Sequence, residues 1–337
     1  MENKAPTPKK KKIKLNYSRV IPAILGIIII IVAIVGIVKL IQWNRGQEFI
    51  IDENINVDSE PEDFVFFMDP SRLEGNNYDG NFDILILGND TVAYDKGGTN
   101  IAELIEEQTD ANVYNCAFSG SLMGAKSSTR DEILTVFPAD AFCFFWLSDS
   151  IQTNNWQLQE DAIELLSDEY DKEHYIQVLN ELKSIDFNKI DLLLIYYDGH
   201  DFLDGRPMSS HLSIYEITTI EGGFTGSYER YPINYPYMQH MLIAPTFCYV
   251  INEDGTKEGC DIADLGWGNL PTCQTTLQVQ AQNYGVSYLD NFYGININAE
   301  TADQYLMSDG ITPNEEGREM IANRISECIN ARIISTY

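Results

Sequence analysis

"KIDLLLIYYDGHD" (Lys189–Asp201) decides the fold. Six consecutive residues, Leu192–Tyr197, are apolar or aromatic, with no polar residue between them. A strand with one wet face alternates polar and apolar side chains, so a strand without alternation is buried on both faces. The run is too short for a helix of ordinary length and stops at a cluster of polar residues around a glycine. It therefore predicts an inner strand of a parallel sheet, with Asp198–Asp201 in the loop at its carboxyl end. Ligands bind at that edge of such sheets.

Working outward, the same pattern recurs. "FDILILG" (82–88), "ANVYNCAFSG" (111–120) and "DAFCFFWL" (140–147) precede it, and "QHMLIAPTF" (239–247) and "GVSYLD" (285–290) follow. Helical spacing marks 98–110, 173–185, a stretch near 274–284 and a final helix near 314–331. Strands alternating with helices predict an α/β fold, a three-layer α/β/α flavodoxin-like parallel sheet. Ile84, Ile86, Cys143, Leu193 and Ile195 are its expected core. Residues 203–238, rich in Gly, Pro, Tyr and Ser, break the rhythm and read as an insertion over the strand-end face.

Charge divides the chain. Of its 22 basic and 51 acidic residues, residues 1–45 hold nine basic and one acidic, leaving 13 against 50 in the remainder. A polyanionic domain repels nucleic acid, which is therefore not an expected partner. "KKKKIK" (Lys9–Lys14) precedes 19 uncharged residues, Val20–Val38, long enough as a helix to cross a bilayer core of about 30 Å. The stretch exceeds the apolar region of a cleaved signal and lacks a small-x-small site, so an uncleaved anchor is expected. The positive-inside rule then gives a basic cytoplasmic tail (1–19), a transmembrane helix (20–43), an acidic stalk (44–78) and an extracytoplasmic domain (79–337). "FVFFM" (64–68) in the stalk is apolar enough to dock on that domain. Of six cysteines, Cys116 and Cys143 sit in strand patterns. Cys248, Cys260 and Cys273 share one loop-rich region, where a bridge is permitted outside the cell but no pair is singled out.

Four strand-end loops carry the polar residues: "LGNDTV" (87–92), "NCAFSG" (115–120), "YYDGHDF" (196–202) and "SDGITPN" (308–314). In order and spacing, over roughly residues 80–331, they resemble the four blocks of the SGNH/GDSL hydrolases, which are esterases and carbohydrate deacetylases. The resemblance implies an α/β/α ectodomain and, as ancestral substrate, an ester or acetyl group on an envelope carbohydrate. It implies five site positions. Asp90 stands at the nucleophilic serine, Ala117 at the oxyanion glycine and His200 at the oxyanion asparagine. Asp309 is the orienting acid, and Thr312 stands at the general-base histidine.

The substitutions differ in kind. Ala117 keeps a backbone N–H and His200 keeps a ring donor. A carboxylate at 90 cannot repeat serine acyl transfer, and a threonine hydroxyl at 312 is no base near neutral pH. The expected function is therefore a membrane-anchored hydrolase-like protein, catalytically degenerate, that acts on or binds envelope carbohydrate or a partner protein. The alternatives are an esterase rebuilt around Asp90, His200 and Asp309, and a structural ectodomain. Ser119 and Ser121 are surrogate nucleophile candidates, and His211 and His240 flank the insertion within possible reach of the rim. Phe224, Tyr228, Tyr231, Tyr235, Tyr237, Tyr249 and Trp267 read equally as a glycan platform or as the insertion's own packing. No cofactor or metal is expected: Asp201 and Asp309 read as loop anchors, with only Asp90 and His200 paired.

Overall fold

The computed structural model describes residue 33 and residues 60–66, 79–94 and 97–333. The expected cytoplasmic tail, the span (residue 33 aside) and the stalk outside 60–66 lie beyond the described residues. Among the described residues no helix is long and apolar enough to cross a membrane.

Among the described residues seven strands form: β1 (Asp83–Gly88), β2 (Asn112–Asn115), β3 (Leu192–Tyr196), β4 (Gln239–Ile243), β5 (Tyr249–Ile251), β6 (Lys257–Gly259) and β7 (Ser287–Leu289). Five make one parallel sheet in the order β2-β1-β3-β4-β7, while β5 and β6 form a separate antiparallel hairpin. This is the doubly wound order, in which the sense of strand addition reverses between β1 and β3. Every residue of β1, β3, β4 and β7 is buried, which is why those segments lack alternation, whereas β2 lies at an edge and is partly exposed. Ile84 faces Leu192 in the register and Gly88 faces Tyr196, so β1 and β3 end level and their following loops share one rim.

The longer helices include α1 (Ile101–Thr109), α2 (Phe144–Thr153), α3 (Lys172–Ser184), α4 (Ile220–Tyr228), α5 (Leu270–Tyr284) and α6 (Glu315–Cys328). Asn100 caps α1 by accepting the Glu103 N–H at 2.9 Å, and Asn314 caps α6 by accepting the Gly317 N–H at 3.0 Å. These two helices pack together, and α4 packs with α2 and α5.

One sequence reading is corrected here and two that the sequence left open are decided. "DAFCFFWL" is no strand: Pro138–Phe142 is a 3-10 turn and Phe144–Thr153 is α2. A short apolar run cannot distinguish a buried strand from a buried helix, and Pro138 starts the turn. Cys143 is fully buried nonetheless, as are Ile84, Ile86, Leu193 and Ile195. Residues 220–234 are largely helical, and Phe224, Tyr228 and Tyr231 are core residues rather than a sugar platform. Phe144 stacks with Phe224 and Tyr231 at centroid distances of 6.5 and 6.2 Å. His240 lies buried in β4 against Tyr228, and burial drives its pKa down to about 3. It is thereby a neutral core histidine and no rim base.

At the free edge of β7, Phe64 exchanges backbone hydrogen bonds with Tyr288 at 3.1 and 2.8 Å, and its ring stacks on Tyr288. Arg324 of α6 fixes this segment through Asp63 at 2.8 Å. The segment covers a sheet edge that would otherwise present unpaired backbone.

Leu193 sits in the middle of β3 between Leu85 and His240. Leu193→Ala is expected to lower the unfolding free energy by about 2–5 kcal/mol, with an unchanged denaturant slope. A loss under about 1 kcal/mol in urea titration would contradict the core placement of β3.

Candidate functional site

β1 ends at Gly88, where the Tyr196 carbonyl of β3 occupies the place of a side chain and only glycine fits. That close approach brings Asn89 beside Asp198. The Asn89 side-chain amide donates to Asp198 Oδ1 at 2.8 Å, and the Asp198 N–H donates back to Asn89 Oδ1 at 3.0 Å. Thr91 adds its hydroxyl at 2.7 Å and its N–H at 3.2 Å to Asp198 Oδ2. His200 adds its own N–H at 3.0 Å, closing an Asx turn, and its Nδ1 at 2.6 Å, both to Oδ1. The Asp198 side chain is 1% exposed.

A carboxylate so deeply buried needs compensation. Burial acts to raise the pKa of Asp198, but the His200 charge and the converging hydrogen bonds hold it below the usual carboxylate value. For His200, burial opposes the charged form, but Asp198, helped by Asp90, lifts its pKa to about 9. His200 is therefore an imidazolium at neutral pH. It is a donor and a positive charge, not a proton acceptor.

Asp90 opens the short helix Asp90–Ala93 directly after Asn89. Its Oδ1 accepts the Ser119 hydroxyl at 2.5 Å, its Oδ2 accepts the Gly120 N–H at 2.8 Å, and Oδ2 lies 3.8 Å from His200 Nδ1. Gly120 adopts φ +75°, a left-handed turn that suits glycine and aims its N–H at Asp90. Burial and the neighbouring Asp198 raise the pKa of Asp90, against the counter-pull of His200 and Ser119. The Tyr175 hydroxyl of α3 donates to the Ser119 carbonyl and holds this turn from below.

The other expected positions divide. Ala117 is fully buried, and its N–H donates to Asn115 Oδ1 at 3.3 Å. Asp201 is buried and accepts the Met123 and Gly124 N–H groups at 2.8 and 2.9 Å, with burial raising its pKa to about 6. Asp309 is exposed and accepts the Ile311 and Thr312 N–H groups at 3.1 and 3.0 Å. It caps its own turn, while Asn314 caps the helix. Among the described residues, neither Asp309 nor Thr312 forms a hydrogen bond or ion pair with Asp90 or His200. Asp90 and His200 are thus brought together, while Asp309 and Thr312 are engaged with each other.

Sequence reasoning missed Asp198, Asn89 and Gly120. The available signal was local: in the third block, Asp198 stands two residues before His200, the spacing of an Asx turn. Among the described residues no group of three or more His, Cys, Asp or Glu side chains is placed to hold a metal ion.

No protein-family model matches the chain, and no curated protein matches its sequence. Solved structures do match. One crystal structure superposes with a TM-score of 0.54 at 15% identity, covering 75% of this chain and 97% of the other. A protein from Lactobacillus plantarum does so with 0.50 at 13%, covering 75% and 98%. A possible lipase from Chitinophaga pinensis gives 0.45 at 13%, covering 74% and 98%. At these identities the likeness is one of fold.

The raised pKa of His200 has a signed consequence. A cationic group favoured by the fold contributes stability below its unfolded pKa of about 6.5, and that contribution is lost as pH rises through about 9. Wild-type protein is therefore expected to exceed His200→Gln in unfolding free energy near pH 6, with the gap narrowing up to about pH 10. A gap that stays constant over that range would show that His200 is not held as the cation. From this geometry and the block order, the chain has an SGNH-hydrolase-like fold, mixed α/β around a central parallel sheet.

Proposed function

We propose that this chain is a membrane-anchored, extracytoplasmic SGNH-hydrolase-like protein that does not perform serine acyl transfer and binds carbohydrate or a partner protein of the cell envelope. One observation carries the reading. The Asp90 carboxylate takes the Ser119 hydroxyl and the Gly120 N–H and faces the His200 imidazolium. Of the two positions expected to donate to a substrate oxyanion, Ala117 turns its N–H to Asn115 Oδ1 and His200 faces the chain's own Asp90 carboxylate. Removing a nucleophile or its base costs about 10⁶ in rate, and the two act as a unit. Here residue 90 lacks the nucleophile and residue 312 lacks the base, while His200 is already protonated.

Binding is supported by the relief beside the turn. A cavity of about 420 Å³ adjoins Gly120 and is lined by Lys126, Phe137, Asp140, Glu169 and Tyr170 among others. Aromatic faces and paired hydrogen-bonding groups suit a sugar ring. A larger hollow of about 540 Å³, between Ser209 and Thr276, touches none of the site residues and has no part in this reading.

A second reading rests on the Ser119–Asp90 hydrogen bond, through which Asp90 would accept the Ser119 proton. It replaces the rebuilt site that included Asp309, whose carboxylate is committed to its own turn. An acetyl-ester assay and an organophosphonate probe on residues 46–337 separate the readings. The expected outcome is no turnover above buffer and no covalent label, together with retention on envelope polysaccharide that Tyr170→Ala weakens severalfold. Robust turnover would overturn the proposal, and its loss in Ser119→Ala would establish the serine–aspartate alternative. Absence of both turnover and polysaccharide binding would favour a structural ectodomain.

A further inference from the structure

We infer that Cys248 and Cys260 are a disulfide site, closed by exchange with a small or protein disulfide in an oxidising compartment. Its use in the cell rests on the extracytoplasmic placement proposed above, whereas the geometry stands without it.

The hairpin sets the pair. Tyr249 faces Gly259, Val250 faces Glu258 and Ile251 faces Lys257 in antiparallel register. One step further toward the open end, Cys248 faces Cys260, and the Cys260 N–H donates to the Cys248 carbonyl at 3.0 Å. Directly opposed residues in such a ladder put both side chains on the same face. Hydrogen-bonded antiparallel pairs place their Cα atoms about 5.5 Å apart, within the range a disulfide spans. The Cys248 N–H completes the arrangement by donating to Cys260 Sγ at 3.2 Å, so the second sulfur already sits against residue 248. The thiol–thiol hydrogen bond with Cys260, with burial, pushes the Cys248 thiol well above its usual range. Cys273, on α5, occupies no opposed backbone position of this kind, which resolves the choice among the three cysteines.

Both thiols are fully buried, so an oxidant reaches them while the hairpin is open, during folding or by local opening. The two strands have three residues each and are mostly half-buried or exposed. A short two-stranded ribbon is marginally stable alone. With glutathione disulfide the step balances. The Cys260 thiolate attacks one glutathione sulfur and releases glutathione thiolate. The Cys248 thiolate then attacks Cys260 Sγ of the mixed disulfide and releases the second glutathione. The two thiol protons pass to the two leaving thiolates, and two electrons reduce the oxidant.

The bridge lies under the site. A Cβ on Gly199 would meet Cys248 Sγ at 3.0 Å and the Ile311 side chain at 3.6 Å. Tyr249 N–H, next to Cys248, donates to the Gly310 carbonyl at 2.8 Å. The hairpin base therefore supports both the turn that carries Asp198 and His200 and the loop that carries Asp309 and Thr312. Closing it ties those two loops to one covalent clamp.

The test treats the full-length reduced chain, unfolded and refolded, with glutathione buffers of increasing oxidised fraction, followed by thiol counting and non-reducing peptide mapping. Titratable thiols are expected to fall from six to four, with one crosslinked peptide pair containing Cys248 and Cys260. The oxidised form should unfold at a higher temperature than the reduced form, a difference absent in Cys260→Ser. Six persistent thiols under the most oxidising buffer, or a bridge joining any other pair, would overturn the site. Peptide mapping of the wild-type chain decides this even if the variant fails to fold. A parallel arm alkylates thiols in intact cells before extraction. A bridge that forms in vitro while the cellular protein keeps free thiols would uphold the site and overturn the extracytoplasmic placement.

Discussion

The buried Asp198 carboxylate organises the rim. It is a full charge removed from water, and an unpaired charge at that depth would cost several kcal/mol. Its compensation comes from both central strands: Asn89 and Thr91 follow β1, and His200 follows β3. Because β1 and β3 end level, one carboxylate can collect donors from both loops, and Gly88 is required so that the two backbones come close enough. The protonation of His200 follows from the same constraint. Neutral His200 would leave Asp198 with hydrogen bonds but no counter-charge.

From there the rest of the site is arranged by charge alternation. Asp198 is negative, His200 positive and Asp90 negative, with Ser119 and Gly120 satisfying the outermost carboxylate. The loop after β2 is held in the same manner. Asp201 accepts from Met123 and Gly124, and Asp140 accepts from Lys126 and Ser127 at 2.7 and 3.0 Å. Both carboxyls have pKa values raised to about 6, chiefly by burial. Below that pH they take up protons more readily than they would in the unfolded chain. Buried acids thus replace regular secondary structure as the fasteners of the rim.

The sheet was legible because its signal is additive. Leu192–Tyr197 and Ile84–Gly88 are apolar throughout, and a buried parallel strand has few other ways to look. The run 140–147 failed because burial alone does not distinguish strand from helix, and Pro138 was the informative residue. His240 was left open for a related reason: a histidine's role depends on its neighbours, and β4 turns it toward Tyr228. At the site, position was readable and partnership in part: Asp90 faces His200, and Asp201 and Asp309 anchor loops, as expected from the sequence. The block order brought Asp90 and His200 to one rim. That Asp198 holds His200 is a consequence of side-chain direction at loop ends, where spacing carries little information.

The charge chain also shows why the changes at positions 90 and 200 belong together. A serine at 90 beside the imidazolium of His200 would leave that cation facing a neutral hydroxyl. Its pKa would still be held up by Asp198, so it would remain unable to accept the serine proton. Conversely, an uncharged residue at 200 would leave Asp90 and Asp198 as two like charges across one small site, and one of them would then favour protonation. Asp90 is tolerable because His200 is cationic, and His200 is cationic because Asp198 is buried. Each charge in this series supplies the electrostatic condition for the next. The result is a site closed upon itself, in which the strongest donors are matched within the chain and the open surface lies to one side, in the cavity beyond Gly120.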